Sequence, residues 1–337
     1  MGAEVWSVTD DEAVVFDGSS VEIHSGLASD TTYQRAGLTW RTLPRPDGAL
    51  LATVTAVNDL HFGETTCGLV SGMDLGPGLS SPAGAPPYPI VMNTAAAAEM
   101  DRLDPVAVVV KGDVTAAGSS EEYQAFETCY RPTFAARLHV IRGNHDNPAP
   151  GPAFDAPPFE AVEVPGAVLA LLDTSRPGEG GGFLDAGQLH WLDDLAAAAE
   201  TPVLVFGHHP CFQPGATDWV GDGSHLGIPD SAALVEVVAR RPAIVGYFAG
   251  HTHRNRVRRF EATGQVPFAE VGSVKDFPGS WAEYRIHEGG ILQIHRRLAE
   301  PAALAWSEEC RALFAGLYPA YAAGEVADRC FALPTRR

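Results

Sequence analysis

Six apolar runs of strand type alternate with Ala-rich stretches of helical type, and this alternation limits the possible folds more than any other feature of the chain. The runs read, in order, LLATVTAV, PVAVVVK, LHVI, AVLALLD, TPVLVF and AIVGYFA. The predicted helices are residues 91–103, 120–136, 185–199 and 230–240. Buried strands that alternate with helices are typical of an α/β fold. Nearer the end, WAEYRIHEGGILQIHRR predicts a hairpin that turns at Gly289-Gly290.

The regions on either side of this core have a different character. Residues 1–46 carry short alternating stretches such as AVVFDG and SVEIHSG and predict a β-rich N-terminal segment. Residues 47–300 hold the α/β pattern and form the expected main domain. Residues 301–337 are expected to be a helical tail, with helix as far as about residue 332 and a break near Pro319.

Composition narrows the class of protein. With 337 residues and 45% hydrophobic content, the chain can bury a sizeable core. A net charge of -19 argues against a nucleic-acid polymer as partner, because phosphate backbones are held by excess Lys and Arg. The sequence has no apolar run near the ~20 residues of a membrane span, so no membrane partner is expected. Five scattered cysteines without a CxxC pair, and a start without the pattern of a signal peptide, predict a reduced cytoplasmic setting.

Five of the apolar runs are followed at once by residues that can bind metal ions. Six of the twelve histidines lie in these motifs. Because functional groups in open α/β sheets gather at the carboxyl edge of the strands, the five motifs are expected to meet. The motifs are NDLHFGE with Asp59 and His61, GDV with Asp113, RGNHD with Asn144, His145 and Asp146, GHHP with His208 and His209, and GHTH with His251 and His253.

The spacing within the motifs suits metal binding. Residues i and i+2 of an extended strand face the same way, so Asp59 and His61 can point at one ion if the backbone stays extended past its run. The same reasoning applies to His251 and His253. Carboxylate, imidazole and amide oxygen make a mixed N/O ligand set, which suits Zn, Mn, Fe or Co better than Ca or Mg.

Each motif alone can also be purely structural. GNHD can be a turn that caps the start of a helix, and GHTH can be two histidines of a core. All five motifs in order, each at the end of a strand, instead predict one shared metal centre.

This ordered set resembles that of the calcineurin-like metallophosphoesterases, over residues 50–297. The stretch LDTSRPGEGGGFLDAGQLHWLDDL, residues 172–195, is similar to the subgroup that contains class III cyclic nucleotide phosphodiesterases. The N-terminal GLASDTTY and WRTLP resemble the last strands of the β-domain of purple acid phosphatases. The resemblance implies a four-layer α/β/β/α sandwich of two facing mixed sheets, with two metals at one edge.

The resemblance also implies which residues bind the two metals, which would be divalent or mixed-valence ions of Mn, Fe, Zn or Co. By motif position, the ligands of the first metal are Asp59, His61, Asp113 and His253. Those of the second are Asp113, which bridges the pair, Asn144, His208 and His251. His208 is chosen over its neighbour because the family pattern there is H-x-P, and His209 would then support the ligands from behind.

Further roles follow from the same resemblance. His145 is expected beside the leaving group as a catalytic residue, with its ring oriented by Asp146. Asn144 is expected to contact the phosphate as well as a metal, and Arg254 is a further candidate for phosphate binding. Purple acid phosphatases carry a tyrosine ligand three residues after the aspartate of G-D, and Ala116 stands there in this chain, so no tyrosinate ligand is expected.

The resemblance implies hydrolysis of a small phosphoester by metal-activated water, as a phosphodiesterase or phosphatase, with a nucleotide as leading candidate. A phosphomonoesterase of a metabolic pathway is the alternative within enzymes, and a metal-binding module without turnover is the alternative outside them. The Gly- and Pro-rich residues 68–89 directly follow the first motif. Loops of this length are often functional, so this segment is either a lid over the site or an external loop.

Overall fold

The computed structural model describes residues 2–70, 74–212 and 224–334. Within them lie seventeen strands and seven α-helices. The strands are β1 (Glu4–Val8), β2 (Glu12–Asp17), β3 (Ser20–Ser25), β4 (Thr32–Arg35), β5 (Leu38–Arg41), β6 (Leu50–Val57), β7 (Ala107–Lys111), β8 (Leu138–Ile141), β9 (Phe159–Val164), β10 (Ala167–Leu172), β11 (Val203–Phe206), β12 (Ile244–Ala249), β13 (Arg256–Arg258), β14 (Phe268–Glu270), β15 (Ser280–His287), β16 (Gly290–Arg297) and β17 (Cys330–Pro334). The helices are α1 (Tyr88–Asp101), α2 (Ser120–Phe134), α3 (Ala186–Ala198), α4 (Ile228–Arg240), α5 (Pro301–Glu309), α6 (Tyr318–Ala322) and α7 (Val326–Arg329).

Two six-stranded mixed sheets form the centre of the molecule. The first has the order β17-β16-β15-β6-β7-β8, in which β6, β7 and β8 are parallel. The second has the order β13-β14-β12-β11-β10-β9, in which β10, β11, β12 and β14 are parallel. Both sheets therefore contain consecutive parallel strands, whose carboxyl ends lie at one edge of each sheet.

The sheets face each other across an apolar core. Val54 and Val109 of the first sheet pack with Leu169, Phe206 and Phe248 of the second, and all five side chains are buried. Helices α1, α2 and α5 cover the outer face of the first sheet, and α3 and α4 cover that of the second. The result is the expected four-layer α/β/β/α sandwich.

Local sequence signals account for the helices that flank the site. Ser119 caps α2 and Asp185 caps α3, each in a reciprocal pair of hydrogen bonds with the residue three positions on, Glu122 and Gln188. The predicted helices agree with α1 to α4 within three residues at each end. The hairpin of β15 and β16 is also present, but it turns at Glu288-Gly289, since His287 pairs with Gly290.

The chain ends contribute more to the sandwich than their sequence indicates. Strands β1 to β3 form a small sheet and β4 and β5 a hairpin, and Val8 and Trp40 pack there against Ile294 of β16. The expectation of helix up to residue 332 is wrong, because β17 pairs with β16 and completes the first sheet. Pairing with a distant strand overrides local helix preference here. No helix among the described residues is long and apolar enough to span a bilayer.

Candidate metal centre and substrate cavity

Seven of the predicted site residues follow the carboxyl ends of parallel strands, and the facing arrangement of the sheets brings them together. The first sheet supplies Asp59 and His61 after β6, Asp113 after β7 and Asn144 after β8; the second supplies His208 after β11 and His251 and His253 after β12. Four of these side chains are buried and those of Asn144, His251 and His253 are half-buried. The ligand atoms of several form clusters within 4.8 Å of one another.

One cluster joins the two sheets through Asp59. The ligand atoms of Asp59, His61 and His253 all lie within 4.8 Å of one another. Nε2 of His253 is 3.4 Å from Oδ1 of Asp59, and the Asp59 side chain is fully buried. Two imidazoles and a carboxylate at such distances can bind a transition metal.

A second cluster lies beside the first, and Asp113 lies between the two. Oδ2 of Asp113 is 3.3 Å from Nε2 of His208 and 3.6 Å from Nε2 of His61. Nδ1 of His251 is 3.2 Å from Nε2 of His208. The other oxygen of Asp113 accepts a hydrogen bond of 2.9 Å from the backbone N–H of His145, which leaves Oδ2 to face both clusters.

Ligand-type atoms in these clusters are buried without hydrogen-bond partners. Oδ1 of Asp59, Nε2 of His61 and Oδ1 of Asn144 form no hydrogen bond among the described residues. The first two have only the ion-pair contacts of 3.4 Å and 3.6 Å given above. Buried polar atoms are almost always satisfied, and leaving one unpaired costs about 1–3 kcal/mol. A cation bound at this place would satisfy all three atoms. The donor set is therefore suitable for metal ions.

The backbone at the candidate ligands differs from the extended conformation expected from the sequence. Five of them adopt the left-handed region, which non-glycine residues rarely enter. The φ angles are 56° at Asp59, 48° at His61, 51° at Asp113, 67° at His251 and 53° at His253. The i and i+2 pairs therefore converge through turns that follow the strands. Such strain costs about 1–3 kcal/mol per residue and is common at functional sites.

Two glycines make the close approach of the loops possible. A Cβ added at Gly112, where φ is +86°, would lie 2.6 Å from the backbone nitrogen of Gly143 and 2.7 Å from Nδ1 of His208. A Cβ at Gly143 would overlap the Asp113 carboxylate. No other residue type therefore fits the point where the loops after β7 and β8 meet.

Protonation in the clusters follows from burial and neighbouring charge. Burial alone would raise the pKa of Asp59, but His253 outweighs it and lowers that pKa to about 2. Burial works against a charged His208, yet Asp113 raises its pKa to about 9. Burial, and then the charge of His208, lowers the pKa of His251 to about 4. Without metal, protonated imidazoles balance the carboxylates, and these protons must leave when a cation binds.

His145 lies at the open side of the clusters. Its ring is exposed and its centroid is 4.7 Å from that of His61. Nδ1 lies 2.6 Å from the carbonyl oxygen of Ala116. Because a carbonyl can only accept, Nδ1 carries the hydrogen, and Nε2 is the atom left for chemistry.

The prediction that Asp146 orients this ring is wrong. Asp146 is fully buried and accepts hydrogen bonds from the backbone N–H groups of Val114, Thr115 and Gly143 and from Oγ1 of Thr115. It ties the loop after β8 to the loop after β7, and Ala116 holds the His145 ring instead. Burial and nearby Asp113 raise the pKa of Asp146 to about 6.

Two further expectations have different outcomes. His209 has a ring nitrogen within 4.8 Å of those of His208 and His251, and its Nδ1 lies 2.8 Å from Oγ1 of Thr174 and its Nε2 3.2 Å from the carbonyl oxygen of Gly180. Its supporting role behind the ligands stays a prediction. Arg254 is not among the residues that line the site cavity, and its Nε donates to Oε2 of buried Glu270 at 2.8 Å. The expectation that Arg254 contacts phosphate is therefore corrected, since Glu270 already neutralises its charge.

Asp276 is a functional candidate that the sequence did not reveal. Its Oδ2 is 3.3 Å from Nδ1 of His253, and its Oδ1 accepts a hydrogen bond of 2.9 Å from Tyr318. Lys275 and His253 lower its pKa to about 2 against the effect of burial. A carboxylate behind a metal-ligating histidine fixes its ring and raises its basicity. Asp276 lies in a loop between β14 and β15, away from any strand-end pattern.

A cavity of about 850 Å³ opens over the clusters. His61, Asp113, His145, His251 and His253 lie in its wall. Gly68, Leu69, Val70 and Leu75 of the 68–89 segment also line it, whereas residues 71–73 of that segment lie outside the described part of the chain. The segment thus borders the site, and its closure as a lid stays a prediction.

Two facing mixed sheets with Asp, Asn and His residues at their joint edge define the metallophosphoesterase fold. The chain belongs to the calcineurin-like phosphoesterase family, whose sequence model matches residues 52–255. The match includes every candidate ligand named above.

Curated relatives are similar over part of their length. A glycerophosphodiester phosphodiesterase of Enterobacter lignolyticus is 30% identical over 161 residues, which is 44% of this chain and 56% of that protein. A 3',5'-cyclic adenosine monophosphate phosphodiesterase of Pseudomonas aeruginosa is 32% identical over 163 residues, 47% of this chain and 57% of that protein. The chain therefore spans a little over half the length of these two relatives.

Solved structures show the same fold. A dimetal phosphatase of Danio rerio superposes with a TM-score of 0.55 at 14% identity, covering 74% of this chain and 97% of that one. A purple acid phosphatase from yellow lupin seeds gives a TM-score of 0.50 at 12% identity, covering 89% and 73%. At such identities the likeness concerns the fold alone.

Proposed function

We propose that this chain is a two-metal hydrolase of small phosphoesters, with phosphodiesters as its main substrates. The observation that carries the proposal is the convergence of two ligand clusters on one carboxylate oxygen, Oδ2 of Asp113, at the floor of an open cavity. A shared oxygen between two clusters is the arrangement that two-metal phosphoesterases need.

This geometry supports the ligand sets that the family resemblance implies. Asp59, His61 and His253 would hold one metal and Asn144, His208 and His251 the other, with Asp113 common to both. When bound, two such ions supply Lewis acidity to the phosphoryl group and make water nucleophilic near neutral pH. Because the donor atoms are nitrogen and oxygen only, Mn, Fe, Zn and Co are the candidate metals.

The protein's own groups complete the chemistry. Nδ1–H of His145 donates to the Ala116 carbonyl, so that the ring presents Nε2 to the cavity. A proton on Nε2 can pass to the departing alkoxide, or the charged ring can stabilise the phosphoryl oxygens. The backbone N–H of His145 donates to Oδ1 of Asp113, which fixes the position of His145 relative to the shared carboxylate.

The preference for diesters rests on the relatives. Their names describe a glycerophosphodiester and a cyclic nucleotide as substrates. Both are phosphodiesters of small alcohols, and we extend that class to this chain. A phosphomonoesterase is the alternative, and a panel of cyclic nucleotides, glycerophosphodiesters and sugar phosphates separates the two.

Five free cysteines are compatible with a reducing, cytoplasmic setting.

Turnover of bis-p-nitrophenyl phosphate tests the proposal directly. The metal-free protein is assayed before and after addition of Mn²⁺, and hydrolysis is expected only with metal. Asp113→Asn should abolish it, whereas Asp155→Asn, which changes an exposed aspartate in the same way, should not. Metal binding without any ester hydrolysis would favour a metal-binding module.

A further inference from the structure

The cavity above the metal clusters has an apolar rim, which we define as Leu69, Val70, Leu75, Leu317 and Tyr321. Nine large hydrophobic side chains are exposed among the described residues, and these five of them line this one cavity. Exposed hydrophobic residues are usually scattered, and a contiguous group marks a binding surface. Leu69 and Leu317 are the most exposed, at 67% and 69%.

The rim is built on an ordered aromatic wall. Phe314 packs edge-on against Tyr318, and Tyr318 stacks with Tyr321. The Tyr321 hydroxyl donates to the carbonyl oxygen of Thr252 at 2.9 Å, which directs its ring face along the cavity. An apolar surface that is fixed in this way can bind an apolar group without first becoming ordered.

Apart from the histidines and the metal clusters, the described lining of the cavity offers a second anionic group no Lys or Arg that is not already paired. Lys275 is the only Lys or Arg among its described lining residues, and its Nζ lies 2.5 Å from Glu64 and 3.5 Å from Asp276. Glu64 and Asp276 also line the cavity. A second phosphate or a carboxylate would thus meet two carboxylates and a neutralised lysine.

The same surface could stack a nucleobase on Tyr321, but it offers few groups that would recognise the edge of the base. A base is recognised through hydrogen bonds to its edge, and such recognition needs free amide or hydroxyl groups. No Asn or Gln lines the described part of the cavity, and the Thr252 hydroxyl already bonds Glu270 at 2.7 Å. An alkyl chain, in contrast, needs only the apolar contact that the rim supplies.

We infer that the natural substrate is a phosphodiester with a single negative charge, one of whose alcohols carries an alkyl chain that lies on the apolar rim. The inference rests on the proposed function and names its substrate class. The phosphodiester group lies at the metal clusters and the chain extends past Leu69 and Leu317 toward solvent.

A homologous series of alkyl p-nitrophenyl phosphates tests this inference. Methyl, butyl and octyl esters share one leaving group, so that differences in kcat/KM report the alkyl chain. A fully buried methylene is worth about fourfold in binding. On a half-exposed rim, kcat/KM of the metal-loaded protein should rise at least ~10-fold from methyl to octyl. A change of less than about twofold overturns the inference.

Matched variants locate the effect. The double variant Leu69→Gln, Leu317→Gln should lower kcat/KM for the octyl ester by about tenfold and leave the methyl ester within about twofold. Leu50→Gln makes the same change at an exposed leucine at the start of β6, outside the cavity, and should alter neither. If the double variant behaves as Leu50→Gln does, the rim does not bind the chain.

Two further measurements distinguish chain binding from turnover and from self-association of the protein. Calorimetric binding of octyl phosphate and methyl phosphate requires no turnover: tighter octyl binding supports the rim even if no ester is hydrolysed, an outcome that would defeat the proposed function alone. Equal binding of the two overturns the inference. Sedimentation of wild type and double variant tests a second copy of the chain as occupant. The inference is also overturned if the wild type is a dimer, the double variant is not, and kcat/KM does not depend on the length of the alkyl chain.

Discussion

Oδ2 of Asp113 lies 3.3 Å from Nε2 of His208, across the line where the two sheets meet. One residue follows β7 of the first sheet and the other follows β11 of the second. Their contact joins the sheets at the point where the two ligand clusters overlap.

The shared position of Asp113 predicts how metal content responds to its loss. Asp113→Ala should remove both metals, because Oδ2 serves each cluster. Asp59→Ala should chiefly weaken one, because Asp59 contacts His253 on the first cluster's side. Elemental analysis of the purified variants measures this, with Asp155→Asn as control. Wild-type protein that saturates at one metal per chain would contradict the two-metal proposal.

His145→Ala should keep both metals and lower kcat, because its exposed ring lies at the open side of the site, where a substrate would approach. General acid–base groups contribute about 10²–10⁴-fold in rate. An alkyl ester, whose alkoxide leaves poorly, should be slowed most, and a p-nitrophenyl ester least. The ratio of the two losses in kcat is the measurement. Equal losses with metals retained would assign His145 to charge stabilisation, and a lost metal would make it a ligand.

Asp146→Asn should affect stability more than the leaving-group dependence of the rate. The carboxylate accepts from Val114, Thr115 and Gly143, and an amide NH₂ turned toward those donors leaves buried groups unpaired. The expected loss is about 1–3 kcal/mol of unfolding free energy. Urea unfolding of the metal-free protein measures it. If stability is unchanged while alkyl esters are slowed selectively, Asp146 acts through the His145 ring after all.

Asp276→Asn should lower the metal affinity of the proposed site that includes His253. The carboxylate lies 3.3 Å from Nδ1 of that ring, and loss of such a partner typically costs 10–100-fold in metal affinity. Calorimetric titration with Mn²⁺ should show one weakened site and one unchanged site. Equal weakening of both sites would point to a general disturbance of the fold.

Glu283 predicts a dependence of stability on pH. Burial alone would raise its pKa, but Arg296 and Arg285 outweigh burial and hold the pKa below its ordinary value. Its ion pairs therefore stabilise the fold in full above the unfolded pKa of about 4.3, and this contribution is lost as pH falls through the lowered folded pKa.

Glu283→Gln should accordingly cost about 1–3 kcal/mol at pH 7 and less near pH 4. Urea unfolding of wild type and variant between these pH values checks it. Glu200→Gln, at an exposed glutamate, is the control and should cost almost nothing at any pH. A difference between wild type and Glu283→Gln that does not shrink toward pH 4 would contradict this role of the ion pairs.

Most of the architecture could be predicted from local sequence. Apolar runs such as 138–141 form strands, and capping residues such as Ser119 and Asp185 start helices, because these preferences depend on neighbours along the chain. The candidate metal-binding residues could be predicted in the same way, since each follows a strand closely. Strand β17 could not be predicted, because it exists only through its pairing with β16.

The detailed contacts of the site depend on the tertiary structure. The sequence by itself determined that Asp59, Asp113, His208 and the other candidate ligands follow the ends of strands. Because these strand ends lie together at the edge of a sheet, the side chains are brought close to one another. Only the fold decided that the carbonyl of Ala116, and not Asp146, holds the His145 ring, and that Asp276 contacts the ring of His253. The fold also decided that the backbone at five candidate ligands adopts positive φ angles. These contacts join loops far apart in the chain, and no local preference encodes a partner that arrives from another strand.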